Sequence, residues 1–265
     1  MVAKRKNGYP IKIERSYYCN LTRVVRSWQK IANQSLDQLK PYVTGGTKIL
    51  QDADNSNYPN WIHYVQQVLD LFSVNVQTAQ TDQQIQSIAT RFVYAVNSFS
   101  TSKLNSRSGA IKIKAGAITL NPLENNSKLE EYTQGKIAEN ADLIKTMRSR
   151  YIDQLKGDVY RSINSGGGVS ELAHAITDRT GMTLRHADLI ATDQTGKILA
   201  QIDSYRNQAN GSTRYIWRSM EDSRVRPKHR ELDGKEFRYD DPNGGDGGLL
   251  PGEPIRCRCY ADPIN

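Results

Sequence analysis

Three side chains toward the C-terminal end could do metal chemistry: His229, Cys257 and Cys259. Thiolate and imidazole are donors that zinc favours, and a structural zinc takes four ligands. Asp222, or Glu253 just ahead of the cysteines, would supply the fourth. The competing reading makes Cys257 and Cys259 small buried apolar residues, with His229 hydrogen-bonded to the loop. A disulfide within Cys-x-Cys would be badly strained. Catalysis has less to work with. No G-x-S-x-G nucleophile turn occurs. A nuclease built on His229 would have only acids such as Asp222, Asp240, Asp241 and Asp246 beside it. The expectation is a protein without enzymatic activity, in which zinc is the one cofactor to test.

These residues need a small β-rich module to bring them together, spanning about residues 213–262. Tyr215-Ile216-Trp217 opens it as a strand, and a basic turn follows from Asp222 to His229. Asp233-Gly234 signals a two-residue hairpin, because glycine tolerates positive φ. Phe237 and Tyr239 would then share one strand face, with Leu232 opposite Phe237. Five glycines and two prolines between Asp240 and Gly252 leave that loop little regular structure. Arg256 to Tyr260 would return as an edge strand, placing Cys257 and Cys259 on one face. Arg224, Arg226 and Arg258 offer planar forks of donors that can tie the loop to carboxylates or carbonyls.

The order and spacing of Trp217, Asp222, Arg224, Val225, Arg226, Pro227, His229, Leu232, Gly234 and Phe237, then Pro251-Gly252-Glu253-Pro254 and Cys257-Arg258-Cys259, resembles the signature of the phage Mu F-like head morphogenesis proteins, also called minor head proteins. The resemblance covers about residues 135–260, since the family places helices before the signature. Some members have Cys-x-x-Cys in the basic turn and a histidine before the final Cys-Arg-Cys. Here Arg226 and His229 stand in the turn, and Pro254 stands before the cysteines. The resemblance implies a phage minor head (capsid) protein acting in head morphogenesis, with a role in genome delivery. It implies binding to the portal protein and capsid proteins at the capsid interior or portal vertex. The location implied is the virion, and the host cytoplasm during assembly. Some members carry an appended enzyme domain after the signature; with six residues left beyond Cys259, none is expected here.

The rest of the chain reads as helices, so the fold class is mainly α with a small β-rich C-terminal module. Residues 1–13 form a basic arm, 14–109 a helical unit, and 110–265 the Mu F-like domain, with helices over 129–209. Apolar residues at helical spacing predict helices over 14–40, 60–80, 82–99 and 129–164. Ser100 to Gly109 reads as a linker, and Ile111-Lys112-Ile113-Lys114-Ala115 as a half-buried or edge strand. Ser170 starts a short helix to Thr180, and Thr183 caps the next, over 184–209. His63, His174 and His186 lack ligand partners at helical spacing and read as surface or interfacial histidines.

The net charge of +8 is concentrated at one end. Residues 1–30 hold eight Lys or Arg against one Glu, whereas the remainder is nearly balanced. Lys4, Arg5, Lys6, Lys12 and Arg15 therefore suit a polyanion, either double-stranded DNA or the portal surface. An alternative class of function uses the same residues: a zinc-dependent nucleic-acid-binding protein with no role in a phage head. No run of 18 apolar residues exists and no apolar stretch follows the basic N-terminus, so neither a membrane span nor a secretory signal is expected. Three cysteines, an odd number, suggest a reducing compartment rather than a disulfide framework.

Overall fold

The computed structural model describes residues 8–43, 61–115, 126–165 and 168–264. Five long helices come first: α1 (Ile11–Val43), α2 (Trp61–Ala79), α3 (Asp82–Ala115), α4 (Ser127–Asn164) and α5 (Val169–Ala209). A sheet module follows, built of β1 (Arg214–Arg218), α6 (Pro227–Leu232), β2 (Glu236–Arg238), the single irregular turn α7 (Gly244–Gly247) and β3 (Tyr260–Ile264). The fold is mainly α with one small antiparallel sheet, as the sequence pattern predicts. No helix among the described residues is long and apolar enough to cross a membrane.

Local chemistry sets the helix ends. Pro10 opens α1, its fixed φ suited to a first turn, and its carbonyl accepts from Ile13 and Glu14. Thr81 and Gln84 form a reciprocal capping box on α3, each side chain accepting from the other's backbone N–H at 3.3 and 3.0 Å. The Asn126 side chain caps α4 by accepting from Leu129 N. Gly211, at φ +91°, ends α5 in the left-handed conformation that favours glycine.

Three expectations are corrected. The serine-rich stretch 100–109 and the alternating stretch 111–115 are both helical, as the second half of α3. Thr101, Ser102 and Ser106 turn their hydroxyls back onto carbonyls four residues earlier. They therefore satisfy themselves within the helix rather than breaking it. The helices expected on either side of Gly181 are one helix, α5, because Leu172, Ile176, Thr180, Thr183 and Ala187 carry a buried stripe past the glycine. The extended arm expected to residue 13 gives way to α1 at Ile11, and Gly8, Tyr9 and Pro10 are already buried.

The chain forms two compact units, each assembled from separated segments. One comprises Cys19–Ser87 and Ala141–Ala187. Its core is apolar: Trp28 of α1, Phe72 and Val76 of α2, Ile85 of α3, and Ile144 and Tyr151 of α4 are all at most 1% exposed. Charge is kept to its rim, where Arg179 of α5 bonds Asp158 of α4.

The other unit comprises Met1–Tyr18, Ile88–Asn140 and Asp188–Asn265. Here buried polar groups join the helices. Tyr17 stacks on Phe92 and donates to Asn140, which donates to Gln194. Asp203 of α5 accepts from Ser100 and pairs with Lys103, both on α3. Lys103 also donates to the carbonyl of Gly8. Tyr9 donates to Glu14 and to the carbonyl of Thr192. The sheet, in the order β2-β1-β3, completes this unit.

Candidate metal centre

β1 sets the floor of the site. Its side chains alternate, so Tyr215 and Trp217 point inward and are buried. Tyr215 faces Phe237 across the antiparallel pair with β2. The hairpin expected at Asp233-Gly234 takes a different form. Residues 227–232 make the short helix α6, started by Pro227 at its first position. Gly234, at φ +81°, then turns the chain so that its N–H donates to Trp217 O at 2.8 Å. Leu232 therefore sits in a helix, not opposite Phe237 in a strand. α6 carries His229 inward, where the ring meets Trp217 edge-on at 5.2 Å between centroids.

The cysteines arrive on a loop rather than on the expected strand, since β3 begins only at Tyr260. α5 positions that loop. Arg256 has φ +57°, an uncommon conformation for a residue with a side chain. It is held there by Asp193, which accepts its N–H at 2.5 Å, and by Asp188, which bonds its guanidinium. Gly196 and Gly252 allow close approach: a Cβ on Gly196 would lie 2.6 Å from the carbonyl oxygens of both Cys257 and Gly252. Gly196, Asp193 and Asp188 lie outside the signature, and their role shows only in three dimensions.

His229, Cys257 and Cys259 are brought together and all three are buried, with their donor atoms within 4.8 Å of one another. Cys257 Sγ lies 3.5 Å and Cys259 Sγ 3.6 Å from His229 Nδ1. The other ring nitrogen, Nε2, meets Asp246 Oδ2 at 3.0 Å, and Asp246 also pairs with Lys228. Of the acids in the module, Asp246 is thus the one that reaches the histidine.

The two positions expected to give a fourth ligand do not. Asp222 accepts from Arg258 at 2.6 Å and from the Arg224 N–H at 3.0 Å. Glu253 is bonded to Gln201 and to Leu250 N. Among the described residues no fourth His, Cys, Asp or Glu joins the cluster.

The three groups shift one another's protonation. The Cys257 thiol is pushed well below its ordinary value by the hydrogen bond from Cys259, and His229 lowers it further against the opposing effect of burial. Cys259 is pushed up by its hydrogen bond to Cys257 and then by burial. His229 is raised by its bond to Cys257 and then by Asp246, which together outweigh burial. Asp246 is lowered, first by Lys228 and then, against burial, by His229.

The donor set fits zinc. Bonds of about 2.3 Å to sulfur and 2.0–2.1 Å to nitrogen, at a tetrahedral angle, put S and N about 3.5–3.6 Å apart. The two observed S···N distances have that length before any ion is placed between them. The Asp246 carboxylate on Nε2 leaves Nδ1 as the ligand atom and orients the ring, as a carboxylate commonly does for a metal-bound histidine.

The remaining signature residues frame this cluster. Arg258, 6% exposed, bonds Asp222, whose carboxyl is held low by that bond against burial. Arg226 donates to Ile255 O, while Arg224 stays exposed at 3.8 Å from Asp222. Lys12 and Arg15 are exposed on the first turns of α1, and Lys4, Arg5 and Lys6 lie outside the described residues. His63 and His174 are exposed and His186 is half-buried, all far along the chain from the cluster.

Comparison with known proteins agrees with the signature. Residues 153–261 match the family described as Phage Mu protein F like protein. This segment takes in the end of α4, all of α5 and the sheet module through Ala261. A Haemophilus influenzae protein described as an uncharacterized protein is 33% identical over 142 residues, covering 54% of this chain and 31% of that protein. The chain thus spans less than a third of the length of that relative. No solved structure matches. Residues 153–261 are thus similar to the phage Mu F-like family, over the same stretch that carries the signature.

Proposed function

We propose that this protein is a minor head protein that binds the portal or the inner capsid surface during phage head morphogenesis. The observation that carries the reading is the family match over residues 153–261, which contains His229, Cys257 and Cys259. In this reading the module is an architectural device without catalytic function. The N-terminal basic residues face an anionic partner, packaged double-stranded DNA or the portal, and contribute to genome delivery. Lys12 and Arg15 support that part, since both are exposed.

Co-expression with its cognate portal protein should give a complex that co-purifies. Two folded partners that fail to associate at every salt concentration would overturn the reading. For DNA, affinity should fall steeply with salt, because phosphate contacts release counterions. Sequence preference should be slight, because such contacts carry no base information. The variant to use removes residues 1–7 and carries Lys12→Ala and Arg15→Ala. It spares Tyr9, Pro10 and Glu14, which are buried. An unchanged salt slope in that variant would remove DNA from the proposal.

A further inference from the structure

The cluster contributes three donors, and the space where a fourth would sit is not filled by a protein ligand among the described residues. A cavity of about 20 Å³ opens on all three donors, lined also by Arg224, Arg226, Arg256 and Arg258. That is room for about one water molecule. Three protein ligands with one open position is the arrangement of a zinc that exchanges ligands, whereas a purely structural zinc is closed by four.

We propose that Cys257, Cys259 and His229 Nδ1 bind one Zn²⁺ whose fourth position is taken from solvent, by water or by a small anion drawn in by the arginines. The charge balance favours the anion. Two thiolates and a neutral imidazole cancel the charge of the ion, so the guanidiniums are left to set the local potential. Arg258, Arg226 and Arg256 are committed to Asp222, Ile255 O and Asp188. Arg224, 65% exposed and 3.8 Å from its nearest carboxylate, is the one best placed to turn inward.

The test uses the full chain purified without chelator from zinc-supplemented cells. About one equivalent of zinc is expected, as two thiolates and an imidazole together would hold it through purification. Cys257→Ser and Cys259→Ser should each lose most of it, while Asp222→Ala and Glu253→Ala keep it. Replacement by Co²⁺ then reads the coordination. Absorption should show cobalt–thiolate charge transfer and tetrahedral ligand-field bands. Azide or thiocyanate should shift those bands, and Arg224→Ala should weaken that shift several-fold without loss of metal. Wild-type protein that takes up no zinc on reconstitution overturns the metal site. A cobalt spectrum unmoved by either anion overturns the open position and assigns the fourth ligand to the protein. Neither outcome depends on the portal, so this inference and the proposed function fail separately.

Discussion

The helical unit of residues 19–87 and 141–187 and the sheet module hold themselves together by different physics. The first buries Trp28, Phe72, Ile85 and Ile144 and keeps ions at its rim. The second buries Arg258, His229, Cys257 and Cys259, and must satisfy each with a named partner. Apolar burial is graded, since each lost methylene removes a little. A polar cluster is closer to all-or-none, because a group left behind without its partner still pays for its burial.

Substitutions can break the two regions apart. Trp28→Ala should have the largest effect on stability, about 3–5 kcal/mol by removal of a buried indole. Denaturant unfolding would measure it, and zinc content at the C-terminal cluster should stay unchanged. Loss of zinc would mean that the two cores are not separate. Gly196→Ala should do the reverse. It places a Cβ 2.6 Å from two backbone oxygens, costs roughly 1–3 kcal/mol as an overpacking change, and lowers zinc uptake by displacing the Cys257 loop. Asp222→Ala should cost about 1–2 kcal/mol by stranding buried Arg258, with zinc retained. If Asp222→Leu, which refills the volume without the charge, were far less harmful, lost packing rather than charge would be the cause.

The smallest effect sharpens the comparison through pH. Asp158 is held below the ordinary carboxylate value: burial alone would raise it, but Arg179 and then Arg161 outweigh burial. A depressed folded value means that the pair stabilises fully above the unfolded value, near about 3.9. That stability is lost as pH falls through the lower folded value. Asp158→Asn should therefore cost about 1 kcal/mol near neutrality and give a flatter acid limb. Equal slopes in wild type and variant would sink the assignment.

What was legible in the sequence follows the same division. α1, α2 and α4 announce themselves through apolar spacing, because their cores need area more than geometry. The errors fall where local chemistry competes with long-range burial. Serines at 102 and 106 look like a linker until their hydroxyls are seen bonded within α3. Gly181 looks like a break until the stripe on either side is seen to be buried. In the module, residue types were legible and placement was not. His229, Cys257 and Cys259 stand out as donors, yet the loop that presents the two cysteines depends on Asp193, Asp188 and Gly196, more than fifty residues upstream. No periodicity encodes such a contact. Asp246 could be named only as one acid among several, since nothing local distinguishes it from Asp240 or Asp241.

The seating of Gly8 and Tyr9 sets a timetable for synthesis. Tyr9 needs the carbonyl of Thr192, and Gly8 fits against the ring of Tyr260, which leaves no room for a Cβ. On the ribosome Tyr260 emerges about 250 residues after Gly8. At roughly 5–20 residues per second, Gly8 waits on the order of ten seconds or more for Tyr260. Through that interval Lys12 and Arg15 stay accessible to a nascent-chain partner. A chain cut short before Tyr260 would therefore show its defect far from the cut, as protease cleavage near Lys12.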